Sequence, residues 1–173
     1  MAALMARSVP LLKVVVAGDG AVGKTSLIRQ YCEGRFEASR VATIGVDFQT
    51  KVVQIRGREV KLSIWDMAGQ IHFQAVRLGF YRGSRAAALV YDLSDPASFA
   101  SLGRWYEEIR QVTPDQRFLV VGNKCDLPLA VAGTAVKTFA QSIHAPYLQT
   151  SALTGEGVAK LFKYLALLAL TRR

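Results

Sequence analysis

Cysteine is almost absent from this chain. Cys32 and Cys125 are too few and too unpatterned for a disulfide framework or a zinc site, which fits a reducing compartment. Acidic residues are the scarce charge: 13 Asp and Glu face 22 Lys and Arg, a formal charge of +9 that favours anionic surfaces, membranes and nucleic acid included. The bases are nevertheless scattered, with modest concentrations at Lys51, Arg56, Arg58 and Lys61 and at Arg172-Arg173. No aromatic stacking platform accompanies them, so no specific nucleic-acid binding is expected. Nor does any apolar run reach the roughly 20 residues that span a bilayer. The best candidate, 161–170, is broken by Lys163 and reads as a core-facing helix. The start, Met1-Ala2-Ala3-Leu4-Met5-Ala6-Arg7, lacks the apolar core and cleavage pattern of a signal peptide, so a cytoplasmic protein is expected. The charge allows at most weak peripheral contact with anionic membrane. Repeats, linkers and low-complexity tracts are missing too. With 51% apolar residues in 173, one folded domain over residues 10–170 is expected, after an N-terminal extension of residues 1–9.

What is present begins with Gly18-Asp19-Gly20-Ala21-Val22-Gly23-Lys24-Thr25, between the apolar run 11–17 and the helix-compatible Ser26-Leu27-Ile28-Arg29-Gln30-Tyr31. Strand, phosphate-cradling loop and helix start stand in the order the chemistry needs. Gly18 and Gly23 let successive backbone N–H groups face one concavity, the helix N-terminus adds partial positive charge, and Lys24 supplies a full one. Thr25 is placed to offer its hydroxyl to a phosphate-bound Mg²⁺.

Strand-like runs recur at 11–17, 47–55, 59–65, 86–91, 118–122 and 146–149, with helix-compatible segments between most of them. The alternation predicts an α/β domain with a largely parallel sheet. Only Arg56-Gly57-Arg58 separates the second run from the third, so these form a hairpin and one antiparallel edge. Asp95-Pro96 opens a helix that Thr113-Pro114-Asp115 ends, and the last helix starts near Gly155-Glu156-Gly157.

In such sheets ligands bind beyond the carboxyl ends of the strands. There the sequence puts the phosphate loop, Asp66-Met67-Ala68-Gly69-Gln70, Asn123-Lys124-Cys125-Asp126 and Thr150-Ser151-Ala152-Leu153. Asp66 stands where a carboxylate would hold the Mg²⁺ shell opposite Thr25. Gly69 lets its N–H approach a γ-phosphate, and the amide of Gln70 can accept from an attacking water and donate to phosphate. The Asp126 carboxylate can accept two parallel hydrogen bonds from guanine N1–H and N2–H₂, which adenine does not offer. Asn123 can bridge base and loops, the stem of Lys124 can lie on the purine face, and the Ala152 N–H can donate to guanine O6.

These motifs, with Ala42-Thr43-Ile44-Gly45-Val46-Asp47-Phe48, Trp65-Asp66-Met67-Ala68-Gly69-Gln70, Tyr81-Arg82-Gly83 and Val90-Tyr91-Asp92, resemble the Ras superfamily of small GTPases and within it the Rab branch, over residues 10–170. The resemblance implies a P-loop NTPase fold, the small G-domain, with a six-stranded mostly parallel sheet, one antiparallel edge hairpin and helices on both faces. It implies a GTP/GDP switch that hydrolyses GTP slowly until an activating protein assists, is recharged by an exchange factor and recruits effectors, in membrane traffic or a related pathway. The expected catalytic set is Lys24, Thr43, Gly69 and Gln70. Thr43, the switch I threonine, would reach Mg²⁺ with its hydroxyl and the γ-phosphate with its N–H. Phe36 would pack on guanine, and Phe48, Trp65 and Phe80 fall where Rab proteins carry an effector-reading aromatic triad. A monomer is expected. The readings that compete are a GTP-binding scaffold with little hydrolysis and a P-loop ATPase or kinase.

The chain departs from the family pattern at Met67 and Ile71, where a threonine and a glutamate are usual, at Phe80, where a tyrosine is, and near Arg40, where an aromatic often covers the phosphates. His72 reads as a solvated surface residue. The family's tail of prenylated cysteines has no counterpart, since the sequence ends at Thr171-Arg172-Arg173. A removed tail and a tail-less relative both fit, and stable lipid anchoring is not expected of the chain as given.

Overall fold

A computed structural model describes residues 8–38 and 41–171. Arg40, Arg172 and Arg173, which the sequence reading invoked, lie outside the described residues. Six strands, β1 (Leu11–Ala17), β2 (Val46–Ile55), β3 (Arg58–Met67), β4 (Ala86–Asp92), β5 (Arg117–Asn123) and β6 (Tyr147–Gln149), form one sheet in the order β2-β3-β1-β4-β5-β6. Only β2 and β3 pair antiparallel. Their turn is two residues, not three: Arg56 and Gly57 both take positive φ, 51° and 71°, the pairing whose twist matches flanking strands.

The strands β1, β4 and β5 are buried on both faces, so they read as continuous apolar runs instead of alternating ones. Alternate residues then feed two cores. Leu12, Val14 and Val16 of β1 join Leu27 and Ile28 of α1 (Lys24–Glu33) and Leu161, Phe162 and Leu165 of α6 (Val158–Leu170). Val15 and Ala17 face the other side, with Tyr81 of α2 (Gln74–Tyr81), Trp105 and Ile109 of α4 (Leu102–Val112) and Val136 of α5 (Gly133–Ser142).

The helix expected from Asp95 to Thr113 is divided into α3 (Pro96–Ala100) and α4 at Ser101, whose N–H reaches both Ala97 O and Phe99 O. Asp95 caps α3, its carboxylate accepting from the N–H of Ala97 at 3.0 Å. Because β1 lies between β3 and β4, the connections leaving β1 and β3 run to opposite sides of the sheet. A cleft therefore opens where these two strands end.

Candidate functional site

The loop after β1 is shaped by close contacts that leave no room for a side chain at two of its glycines. At Gly18 a Cβ would fall 2.1 Å from Val90 O, and at Gly23, with φ 99°, it would fall 2.3 Å from Asn123 Nδ2. The following helix α1 starts without a side-chain cap, so N–H groups of its first turn stay available to an anion. Lys24 is buried and its ammonium lies 2.6 Å from Asp19 O. Burial pushes its pKa down to about 8, with Asp66 and Asp19 pulling the other way. A buried cation inside a ring of backbone dipoles is a receptor for multiply charged phosphate.

Beside it three oxygen-bearing side chains converge. Thr25 Oγ1 donates to Asp66 Oδ2 at 2.5 Å and lies 2.8 Å from Thr43 Oγ1, which is itself 3.3 Å from the same carboxylate oxygen. The other oxygen, Asp66 Oδ1, is buried without a hydrogen-bond partner. Burial raises the Asp66 pKa, against the opposing pull of the Thr25 hydrogen bond and the Lys24 charge. Two hydroxyls and a carboxylate with an unpaired oxygen suit a small hard cation. Among the described residues no group of three or more His, Cys, Asp or Glu offers an alternative metal site.

At the other end of the cleft, Asn123 is buried and ties three loops together. Its Nδ2 donates to Val22 O at 2.9 Å, and its Oδ1 accepts from Thr150 Oγ1 at 3.0 Å. That oxygen also accepts the Ala152 N–H, at 3.3 Å, so the donor expected for guanine O6 here closes the loop. Asp126 is exposed, and Ser151 Oγ fixes its Oδ1 at 2.6 Å. Lys124, at φ 63°, stretches across the cleft with its ammonium 2.8 Å from both Ala21 O and Asp92 Oδ2. Thr150 and Asp92 are the partners that sequence reasoning did not assign; both stand at strand ends beside residues it did.

A model of the Ras family matches residues 13–170. The chain belongs to the Ras family. It is 44% identical over 157 residues to the Ras-related protein RABA5d of Arabidopsis thaliana, covering 88% of this chain and 71% of that protein. It is 38% identical over 161 residues to the Ras-related protein Rab-4 of Dictyostelium discoideum, covering 91% and 78%. It is thus a Rab-like small GTPase, a guanine-nucleotide switch that hydrolyses GTP.

The departures from the Rab pattern now have locations. Met67 ends β3 fully buried in the core that contains Tyr81 and Trp105, so its side chain serves packing and leaves the cleft to its neighbours. Ile71 and His72 are exposed. Gly69 presses on the phosphate loop, where a Cβ would meet Gly20 N at 2.3 Å. Gln70 is exposed beside it, and Phe36 is 40% exposed. Phe48, 54% exposed, stacks on Trp65 at 4.9 Å, and Trp65 meets Phe80, 38% exposed, at 5.5 Å. Phe48 and Phe80 are therefore surface residues, while Trp65 between them is partly buried and also packs against the core.

The group that sequence reasoning missed altogether is Arg77. Although wholly buried, its guanidinium makes a two-pronged pair with Glu108 at 2.7 and 2.9 Å and donates to the carbonyls of Ala68 and Gln70 at 2.9 and 2.7 Å. Tyr81 Oη adds a 2.6 Å bond to Glu108, and the Trp105 ring lies 4.4 Å from the guanidinium. An arginine on a short helix carries no sequence mark of burial. Only its partner, 31 residues away on α4, makes burial tolerable.

Proposed function

We propose that this Rab-like GTPase works as a Mg²⁺-dependent GTP/GDP switch through the residues just described. The convergence of Thr25 and Thr43 on one oxygen of the Asp66 carboxylate, with the other oxygen buried and unpaired, carries the reading. Thr25 and Thr43 would hold Mg²⁺ with Asp66. When bound, the ion neutralises charge on phosphate oxygens. The backbone N–H groups of residues 18–26, from Gly18, Asp19, Gly20, Ala21, Val22 and Gly23 to Ser26, cradle the phosphates. Lys24 supplies the charge that stabilises the transferred phosphoryl. Gln70 orients the attacking water through its amide, and Gly69 offers its N–H to the γ-phosphate.

Guanine is selected by Asp126, with Asn123, Lys124, Ser151, Ala152 and Leu153 forming its surround and Phe36 closing over the base. Asp126→Asn should cost GTP a few kcal/mol of affinity and favour xanthosine nucleotides, because a donor then faces a donor. Nucleotide competition checks it, and equal wild-type affinity for ATP and GTP would refute guanine selection.

The output is a conformation read by other proteins. Thr43 and Gly69 hold the switches against GTP and release them after hydrolysis. An exchange factor, an activating protein and GTP-dependent effectors are the partner classes, and Phe48, Trp65 and Phe80 offer the effectors an aromatic surface. Membrane traffic is the setting that suits a Rab-like switch. The domain is taken as residues 10–170, acting as a cytoplasmic monomer without specific nucleic-acid binding. Contact with anionic bilayers would be weak and electrostatic: Arg56, Arg58 and Lys61 are exposed at the hairpin, while Lys51 is occupied by Tyr31 O at 2.6 Å. Phosphatidylserine-vesicle binding should fade between 0.1 and 1 M salt, as the Debye length falls from about 10 to about 3 Å.

A further inference from the structure

The phosphate loop carries an acid of its own. A carboxylate beside the place where a polyphosphate lies should repel it, yet Asp19 sits in the loop between Gly18 and Gly20. Its surroundings resolve the conflict. Asp19 Oδ1 accepts from the Trp105 indole N–H at 2.8 Å and from the Arg104 guanidinium at 2.9 Å, both on α4 and about 85 residues away in sequence. Trp105 is fully buried, with Arg77 against its ring at 4.4 Å, so the indole N–H cannot swing away. Arg104 is exposed and lies 5.4 Å from the same ring. Meanwhile the backbone carbonyl of Asp19 takes the Lys24 ammonium at 2.6 Å. The residue therefore presents its carbonyl to the phosphate-binding lysine and its carboxylate to α4.

We propose that Arg104 and Trp105 are positioning residues for nucleotide binding, which hold and neutralise the Asp19 carboxylate against α4 so that the loop accepts a triphosphate. The proposal rests on the nucleotide-binding reading above and adds two side chains outside the nucleotide motifs. GTP carries more charge than GDP, so the arrangement bears on discrimination between the two ligands. In this scheme Arg104 acts only through Asp19, and its removal matters only while residue 19 is charged.

The test measures GTP and GDP affinities, with Mg²⁺, for Arg104→Gln, Trp105→Phe and Asp19→Asn, and for Arg104→Gln combined with Asp19→Asn. Arg104→Gln should weaken GTP about two- to fivefold and GDP less, with the deficit shrinking at high salt. Trp105→Phe keeps an aromatic ring under Arg77 but removes the indole N–H together with part of the bicyclic ring, so it should shift the same ratio in the same direction by less, and its melting temperature reports the packing loss separately. With Asp19→Asn present, Arg104→Gln should change neither affinity. An equal loss for GTP and GDP, no loss at all, or a loss that persists alongside Asp19→Asn would overturn the proposal. Failure of the unaltered protein to bind GTP would instead sink the nucleotide reading itself. Thermal melting shows whether each variant is folded, and a melting shift without a change in the GTP/GDP ratio also counts against the proposal.

Discussion

The proposed base-binding edge and the proposed switch segments share one end of the sheet, yet they are built in opposite ways. Asn123 is 1% exposed and both polar atoms of its side chain are engaged, holding the phosphate loop to the loops after β5 and β6. Ile44 and Ile71, next to the residues that would face the γ-phosphate, are 83% and 68% exposed. Switch II is fixed at one buried point, where Arg77 grips the carbonyls on either side of Gly69. Base recognition needs the same geometry throughout the nucleotide cycle, whereas a switch needs two arrangements of similar free energy. Dense buried hydrogen bonding serves the first purpose and would defeat the second.

Four experiments would break or sharpen that contrast. The largest effect belongs to Arg77→Ala, which strands the buried Glu108 carboxylate and frees switch II, and should lower unfolding stability by about 3–5 kcal/mol. Denaturant titration reads it, and a loss below about 1 kcal/mol would mean that the pair does not anchor the switch. Next is Asn123→Ala, which orphans Val22 O and the Thr150 hydroxyl. It should cost about 3 kcal/mol, lower the melting temperature by roughly 6–12 °C, and weaken GTP and GDP alike.

Gln70→Leu tests the exposed side of the comparison. Its side chain has no hydrogen-bond partner among the described residues. Stability should therefore stay within about 0.5 kcal/mol and GTP affinity should hold. Single-turnover hydrolysis should slow at least about tenfold, about 1.4 kcal/mol, as for an interaction made during reaction. Loss of binding together with rate would make Gln70 structural.

The smallest effect is a pH dependence on the rigid side. Burial pushes the Asp92 pKa up, but hydrogen bonds from Lys124 and Ser94 outweigh it and hold the carboxyl below its ordinary value. A lowered folded-state pKa stabilises the fold above the unfolded carboxylate value, about 3.9, and this contribution disappears as pH falls through the folded value. Asp92→Asn should therefore flatten the loss of stability on acidification below about pH 4. An unchanged acid limb in denaturant titrations at several pH values would exclude the Lys124–Asp92 link as a stabilising contact.

Much of the candidate site was legible because its parts are local. Gly18 to Thr25 turn a strand into a helix within one short segment, and Asn123 to Asp126 follow a buried strand directly, so residue type and spacing declare the chemistry. Strand runs agreed with the fold to within a residue or two, since period and burial on both faces are sequence properties. The two-residue hairpin turn was harder to delimit, because Arg56 at positive φ carries no glycine to announce it. The row Phe48, Trp65 and Phe80 was legible as a set, while its exposure depended on which side of β2, β3 and α2 faced solvent.

The sequence by itself determined the alternation of strand and helix, the glycine-rich turn after β1, the segment proposed to select guanine and the family membership, because each is set by neighbouring residues and backbone conformation. Tertiary structure alone decided which distant charges meet. Arg77 finds Glu108, Asp19 finds Arg104 and Trp105, and Lys124 finds Asp92, across 31 to 86 residues of chain. Burying an ion is costly unless an opposite charge or a donor stands within a few ångströms. That distance is fixed by the order of strands in the sheet, which no local pattern records.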